Sequence, residues 1–266
     1  MGNEKNKKRK KKRTGYIITN VVLAIATAVF IFALVKLVMM LVPYYKGETD
    51  YKKVRELAVV VPKEEGFEEE KFSVDFDALM EMNSDTIGWI RFEEPEIINY
   101  PIVKSQDNVE YLTRTFSAND NKLGSIFVDM NNSSDFSDKN TLIYGHNMAV
   151  GDQMFSKIRD YGHKDFMEAH PYFYIYTPDN VEHKYRVFAS GIVKETADNY
   201  KISFGSDSEF ESFLNLCKSS GLYDTDVELN EDSKIVTLST CTCVNEDERF
   251  IVQAVLDEEE IKKDTK

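Results

Sequence analysis

The sequence predicts a mainly β domain that follows a single long hydrophobic segment near the N-terminus. Two observations predict the β domain: seven or eight short apolar runs alternate with polar turns, and few long stretches show helical periodicity. Many short strands separated by turns are typical of a β-barrel or β-sandwich. The predicted strands cover residues 86–92, 97–103, 125–130, 141–144, 172–176, 185–193, 234–240 and 250–256.

The N-terminus joins a basic block to an apolar run of membrane-spanning length. Residues 1–13 hold eight Lys or Arg and one acid, and residues 16–42 contain Lys36 as their one charged residue. About 20 apolar residues suffice to cross a bilayer. We interpret 1–15 as a cytoplasmic tail and 16–42 as an uncleaved signal anchor, because flanking Lys and Arg set the orientation. A cleaved signal peptide is the alternative, but the run ends without the small residues of a cleavage site.

The charge of the chain is strongly asymmetric. The total is −13, yet residues 1–47 carry +9, so the other 219 residues carry −22. An acidic domain argues against nucleic-acid binding. The basic block is also a poor candidate for a nucleic-acid site, because it lies directly before the predicted span. We expect a charged linker with a helical lead-in over 43–71, one folded domain over 72–258 outside the cell and a charged tail over 259–266.

Three helices are expected around the strands. A short one covers 76–82, and two inserts cover 154–161 and 208–220. Ser206 stands three residues before Glu209, which is the spacing of a capping box at the start of the third helix. This last helix lies directly before the strand that carries a cysteine.

The three cysteines, Cys217, Cys241 and Cys243, are too few for a disulfide framework, and their odd number leaves at least one free thiol. Cys217 falls on the apolar face of its helix and is predicted to lie in the core. The residues that share this face are Phe210, Phe213 and Leu214. A bridge between Cys241 and Cys243 would be strained, and no second pair completes a zinc site. Cys243 therefore reads as a semi-exposed thiol.

The phase of the last two strands separates Cys241 from the more apolar face. Alternate residues of a strand face opposite sides, so Thr237, Ser239 and Cys241 share one face. Arg249 is likewise out of phase with the apolar face of the next strand. The polar segment 242–248 reads as a surface turn. An antiparallel hairpin would therefore place Cys241 beside Arg249.

Cys241, His146 and Arg249 combine the side chains that acyl transfer needs. A thiolate is a nucleophile, and an imidazole can activate it or protonate a leaving amine. Arg249 keeps its charge and suits an oxyanion. Each residue alone also has a structural reading, since an unpaired cysteine at a strand end is more often structural. By residue type, the chain reads as no more than a candidate cysteine hydrolase.

Several motifs resemble those of the sortase family and occur in the same order as in that family. Within the family they resemble class B most. Residues 237–241 read Thr-Leu-Ser-Thr-Cys, which matches the family's cysteine motif, and 249–252 resemble its arginine strand. Residues 140–148 resemble its histidine segment. Further similar segments lie at 87–90, 99–103, 107–112 and 124–129, so the resemblance covers about residues 75 to 256. The helix before the cysteine strand and the helical lead-in favour class B.

The resemblance implies an eight-stranded sortase-type β-barrel with N-terminal helices and a helix inserted before the cysteine strand. It further implies an enzyme on the outer face of a Gram-positive membrane. Cys241 would cleave a C-terminal sorting signal through a thioester, His146 would protonate the leaving amine, and Arg249 would stabilise the oxyanion. The partners would be secreted proteins with an NPxTN- or PPxTG-like signal and an amine of a lipid II-type peptidoglycan precursor. No metal or other cofactor is implied.

The resemblance also implies a substrate-binding set. Asn108 and Leu112 match class B positions that line the sorting-signal pocket, and Ser239 and Thr240 lie beside the nucleophile. These four residues are therefore expected to contact the substrate.

Three alternative functions stay open from the sequence. A pilin-polymerising sortase would use a pilin lysine as the acceptor. A plain extracellular cysteine peptidase would end in hydrolysis, because no amine acceptor binds. A surface scaffold on the same barrel would have no catalytic activity and would not depend on Cys241.

Overall fold

The computed structural model describes residues 2–60, 72–93, 95–148, 150–242 and 244–261. The chain divides into two compact units, Met1–Tyr45 and Lys46–Lys266. Cys243 and parts of two predicted segments, 61–71 of the lead-in and 262–266 of the tail, lie outside the described residues.

Helix α1 (Gly2–Ala58) contains the predicted span. Its stretch Gly15–Ala58 is long and apolar enough to cross a membrane, with a mean hydropathy of 2.8 over its most apolar window and none of that window buried. The apolar side chains along 16–42 are exposed. Membrane anchors and signal sequences share a helix of this kind near the N-terminus.

Eight strands close into a β-barrel within the second unit, which confirms the predicted fold class. A short antiparallel ladder of β1 (Val59–Val60) and β2 (Ser73–Val74) precedes it. The barrel strands are β3 (Thr86–Arg91), β4 (Asn99–Val103), β5 (Ile126–Val128), β6 (Asn140–Tyr144), β7 (Tyr172–Tyr176), β8 (Val181–Lys194), β9 (Ile235–Cys241) and β10 (Glu248–Ile261). Around the barrel they follow the order β10-β8-β7-β3-β4-β5-β6-β9.

The strand β9 lies between two neighbours of different kinds. It pairs antiparallel with β10, which follows it in the chain, and parallel with β6, which precedes it by about 90 residues. Hairpin partners are joined by a short turn, whereas parallel partners need a crossover connection. The long connection from β6 to β9 includes β7, β8 and the helices between them.

Helices lie at all three predicted positions. Helix α2 covers Phe76–Met82, and helix α4 covers Asp207–Ser219 between β8 and β9. The Ser206 hydroxyl caps α4 by accepting a hydrogen bond from the amide of Glu209 at 3.2 Å. Cys217 is fully buried on the apolar face of α4, as predicted.

The helical insert predicted at 154–161 is present, shifted by one or two residues. A 3₁₀ helix covers Ser156–Gly162, and helix α3 (Lys164–Ala169) follows it. Within the 3₁₀ helix the two buried residues are three apart, in keeping with its three-residue turn. They are Ile158 and Tyr161, and the buried Met154 and Phe155 precede the helix.

Candidate active site

Cys241 is the last residue of β9 and its one exposed residue, because the six before it are buried. Alternate residues of β9 face the barrel interior, while Ile235 on the other face packs in the hydrophobic cluster of α4. The 3₁₀ helix Asp198–Tyr200 also covers this outer face, where the Tyr200 hydroxyl lies 2.7 Å from the Ser239 hydroxyl. Cys241 carries a free thiol at the point where this cover ends.

The β9–β10 hairpin places Arg249 directly opposite Cys241, as the strand phase predicts. Its guanidinium is held at the start of β10. Nη1 donates to the carbonyls of Glu246 at 2.6 Å and Glu248 at 2.9 Å, and Nη2 donates to the Glu195 carboxylate. The permanent cation is therefore fixed at the edge of the strand pair that ends in the thiol.

The parallel neighbour β6 runs past its last strand residue and stays beside β9. The register pairs Tyr144 with Ser239. Beyond it, the amide of Gly145 donates to the carbonyl of Ser239 at 3.2 Å, and the Thr240 hydroxyl donates to the carbonyl of Gly145 at 2.7 Å. These bonds carry the chain along β9 toward Cys241.

His146 comes next in this segment and thus reaches the level of Cys241 on the side away from Arg249. The side chain of Asn147 donates to the carbonyl of Cys241 at 2.8 Å, which ties the two segments together. The Nε2 atom of His146 lies 2.7 Å from the carbonyl of Leu112. Since a carbonyl can only accept, Nε2 carries the proton and Nδ1 is the nitrogen with a free lone pair in the neutral ring.

Gly124 packs against the 3₁₀ turn Glu110–Leu112, whose last carbonyl holds the imidazole of His146. Its φ of 60° lies in the left-handed region, and an added Cβ would lie 2.5 Å from the carbonyl of Tyr111 and 2.8 Å from that of Leu112. The Cδ2 atom of His146 would be 3.1 Å away. The Tyr51 hydroxyl, on α1, donates to the carbonyl of Gly124 at 2.6 Å. Sequence reasoning missed Gly124 and Tyr51, because neither carries reacting chemistry.

The predicted substrate residues Asn108 and Leu112 differ in what their side chains do. Asn108 donates to the carboxylate of Asp129 and accepts from the amide of Met130, both at 2.8 Å. Its amide therefore fastens the loop that precedes Leu112. The side chain of Leu112 is 37% exposed, and its carbonyl bonds His146.

Ser239 and Thr240 are buried, at 3% and 2% exposure, and brace the nucleophile from behind. Ser239 bonds Tyr200, a half-buried residue that the sequence did not single out. Burial raises the pKa of Tyr200 to about 12, with the charge of Cys241 adding to it and that of Arg249 opposing it. Tyr200 thus lies within electrostatic reach of both residues and stays a neutral hydrogen-bonding group near neutral pH.

The chain is similar to one known protein family and to a curated relative in it. Residues 93–257 match the Sortase domain family. The curated Sortase B of Listeria monocytogenes is 37% identical over 182 residues, which cover 67% of this chain and 72% of that protein. The family match contains β4–β9 and most of β10. It therefore includes Cys241, His146 and Arg249.

Solved structures with the same architecture were also found. The sortase B of Bacillus anthracis superposes with a TM-score of 0.70 at 29% identity, covering 82% of this chain and 99% of that chain. The Staphylococcus aureus sortase B–substrate complex gives a TM-score of 0.64 at 28% identity, covering 69% and 84%. A sortase B complexed with triglycine gives 0.63 at 29% identity, covering 69% and 85%.

Proposed function

The chain belongs to the class B sortases, which are cysteine transpeptidases, and on that premise we propose that it attaches secreted proteins to a cell-wall amine. It cleaves a C-terminal sorting signal, keeps the protein as a thioester on Cys241, and passes it to an amine of a lipid II-type peptidoglycan precursor. One observation carries this proposal. The exposed Cys241 ends a strand flanked by the His146 segment on one side and Arg249 on the other.

In the acylation step, the Cys241 thiolate attacks the carbonyl carbon of the scissile peptide bond. A C–S bond forms, the C–N bond breaks, and the leaving amine takes a proton from His146. The bond from Nε2 to the carbonyl of Leu112 supports proton transfer through Nδ1. The same carbonyl stabilises the ring while it is positively charged.

Arg249 donates to the oxygen that becomes negative during both steps. A guanidinium stays protonated and presents several donors in a fixed plane. A donor aimed at a developing oxyanion is worth about a hundredfold or more in rate. The contacts with Glu246 and Glu248 support this role, since they hold the cation on the strand beside Cys241.

In the transfer step, the amine of the acceptor attacks the thioester. His146 takes the amine proton, an amide bond forms, and the C–S bond breaks to return the Cys241 thiolate beside a protonated His146. These atoms balance without an oxidant, a metal or another cofactor. The similar sortase B complexed with triglycine supports an amine acceptor, because triglycine carries a free amine.

The N-terminal helix anchors the enzyme with residues 1–15 in the cytoplasm, 16–42 in the membrane and 72–258 outside. The exposed apolar surface of the helix supports the span, and the basic block supports the orientation. Leu112 contacts the sorting signal with its exposed side chain. Asn108, Ser239 and Thr240 shape that contact through the bonds that fix the loop and the nucleophile.

A peptide-transfer assay tests the proposal on the detergent-solubilised full chain. Labelled NPxTN- and PPxTG-type peptides are incubated with and without triglycine, and the products are identified by mass. We expect a new amide bond to triglycine, with cleavage lost in Cys241→Ala and reduced at least a hundredfold in His146→Ala and Arg249→Ala.

The other outcomes identify the alternatives. Hydrolysis alone with every amine tried would make the protein an extracellular cysteine peptidase. Transfer to a pilin lysine peptide in preference to triglycine would make it a pilin-polymerising sortase. Absence of any cleavage of a full peptide library would leave the surface scaffold.

A further inference from the structure

Glu195 lies where it can act on Arg249 from outside the β9–β10 hairpin. It directly follows β8, and Val193 of β8 pairs with Arg249 of β10. Residues two apart along a strand share a face, so the side chain of Glu195 is a diagonal neighbour of the Arg249 side chain. The amide of Glu195 donates to the carbonyl of Asp247 at 2.9 Å. This bond ties the end of β8 to the turn between Cys241 and Arg249.

The contacts of Arg249 all lie on its two terminal nitrogens. Nη1 bonds two carbonyls of its own turn, and Nη2 bonds the carboxylate of Glu195. Glu195 is the only acceptor among these that comes from a different segment of the chain. Over the ranges that the structure describes, the Nε atom of Arg249 bonds none of these acceptors. These three hydrogen bonds therefore leave the Nε–H group to donate to another oxygen.

The ion pair is too exposed to matter for folding. The side chains of Arg249 and Glu195 are 24% and 50% exposed, and pairs at such exposure add little to stability. The ion pair matters more for the position of the guanidinium than for stability. An unrestrained arginine side chain loses rotamer freedom when its donors must be held in one place. A restraint applied before the substrate arrives removes that cost from the reaction.

We propose that Glu195 is a positioning residue that holds the Arg249 guanidinium beside Cys241 for oxyanion binding. The inference deepens the proposed function and rests on it, since Glu195 acts only through Arg249. The carboxylate supplies both a hydrogen-bond acceptor and a negative charge. Glutamine keeps the first and loses the second, whereas aspartate keeps the charge on a shorter side chain.

A neighbouring ion pair offers a matched control. Lys194 bonds Asp247 at 2.8 Å in the same turn, and Lys194 faces the side opposite to Glu195 because it is one residue away. Asp247→Asn therefore removes one carboxylate close to Arg249 without removing an acceptor of its guanidinium. A nonspecific effect of the local negative charge would appear equally in Asp247→Asn and Glu195→Gln.

The test is a double-mutant cycle on the full chain in detergent, with kcat and KM measured for peptide transfer to triglycine. Glu195→Gln should lower kcat about tenfold with KM nearly unchanged, within the coupling seen between contacting residues. Glu195→Asp should recover part of the loss, and Asp247→Asn should stay within about twofold of wild type. In an Arg249→Ala background, Glu195→Gln should have no further effect. The melting temperature of Glu195→Gln should match that of the wild type.

Three results overturn the inference. A wild-type or faster rate for Glu195→Gln makes the contact neutral or inhibitory. An undiminished effect in the Arg249→Ala background means that Glu195 acts elsewhere. An equal loss in Asp247→Asn reduces the effect to general charge. In each of these three cases Cys241→Ala stays inactive and Arg249→Ala keeps its large loss of rate, so the proposed function stands. Wild-type turnover in Cys241→Ala would instead contradict the proposed function itself.

Discussion

The two flanks of Cys241 are built in different ways. Arg249 follows it by eight residues and is placed by the hairpin register, with one side-chain contact from Glu195 just after β8. His146 precedes it by 95 residues and is placed by a parallel register, together with contacts from two further segments. These contacts are the carbonyl of Leu112 and the glycine at 124.

The difference concerns how far away a change can act. The arginine flank depends on the hairpin pairing and on the one contact from Glu195, so changes in the turn or at Glu195 should disturb it most. The histidine flank depends on separate segments packed against one another, and one of them is anchored by Tyr51 of α1. Changes remote from the thiol should therefore damage the histidine flank more than the arginine flank.

The largest effect is expected from Gly124→Ala. The new Cβ would meet two backbone carbonyls within 3 Å at a φ of 60°, so the 3₁₀ turn Glu110–Leu112 must move away from His146. Misplacement of a reacting group by about 1 Å can cost on the order of a hundredfold in rate. We expect such a loss of kcat for peptide cleavage. The control Gly162→Ala has its nearest contact at 3.6 Å and should cleave normally. Equal activity of the two variants would break the comparison.

A smaller effect is expected from Tyr51→Phe. The variant loses the bond to the carbonyl of Gly124 and leaves the amide of Phe116 without its hydroxyl acceptor. We expect a loss of about 1–2 kcal/mol in the free energy of unfolding, measured in urea, and a severalfold lower kcat. Tyr161→Phe removes a similar buried bond, to the carbonyl of His170 at 2.7 Å, which holds neither Gly124 nor Leu112. It should lose comparable stability and keep its kcat; a parallel fall in both variants would show a general stability effect.

Tyr200→Phe should be milder again, because it removes one bond behind the nucleophile. The lost contact is the 2.7 Å bond to Ser239. We expect the free energy of unfolding to fall by about 1 kcal/mol and kcat to fall no more than a few-fold. The double variant with Ser239→Ala should lose little more than either single variant, since one shared bond is removed. Additive losses in the cycle would mean that the two hydroxyls act separately.

Cys217 should be silent in catalysis although it lies behind the same strand. Burial raises the pKa of its thiol to about 12, so it stays protonated at pH 8.5 while an exposed thiol ionises. Iodoacetamide should label Cys241 in the native protein and reach Cys217 only after unfolding. The stabilisation from keeping this thiol neutral is fully present below the unfolded pKa near 8.5 and fades as the pH rises toward 12. Labelling of native Cys217 at the rate of Cys241 would contradict its burial.

The parts that the sequence predicted are those that depend on local pattern. Strand phase placed Cys241 and Arg249 on one face, and the spacing of Ser206 and Glu209 located the start of α4. Both rely on neighbours within a few residues. The helical insert predicted at 154–161 lies at 156–162 and is a 3₁₀ helix, a type that the short apolar repeat does not specify.

The parts that the sequence missed are set by long-range pairing. Nothing in the β6 sequence names β9 as its parallel partner, so the family resemblance, not strand phase, connected His146 with Cys241. Glu195, Tyr200 and Gly124 matter through what they touch, and their residue types are ordinary on a protein surface or in a turn. Such roles become visible only when the barrel closes.

Capture of the acyl-enzyme tests the central claim most directly. The full chain is mixed with a sorting-signal peptide, quenched in acid and measured by intact mass, alongside Cys241→Ala and Cys243→Ala. We predict a mass increase equal to the peptide up to its scissile bond in the wild type and in Cys243→Ala, removed by hydroxylamine as a thioester is. The adduct should be absent in Cys241→Ala. An adduct that persists in Cys241→Ala, or turnover by that variant, would contradict the account.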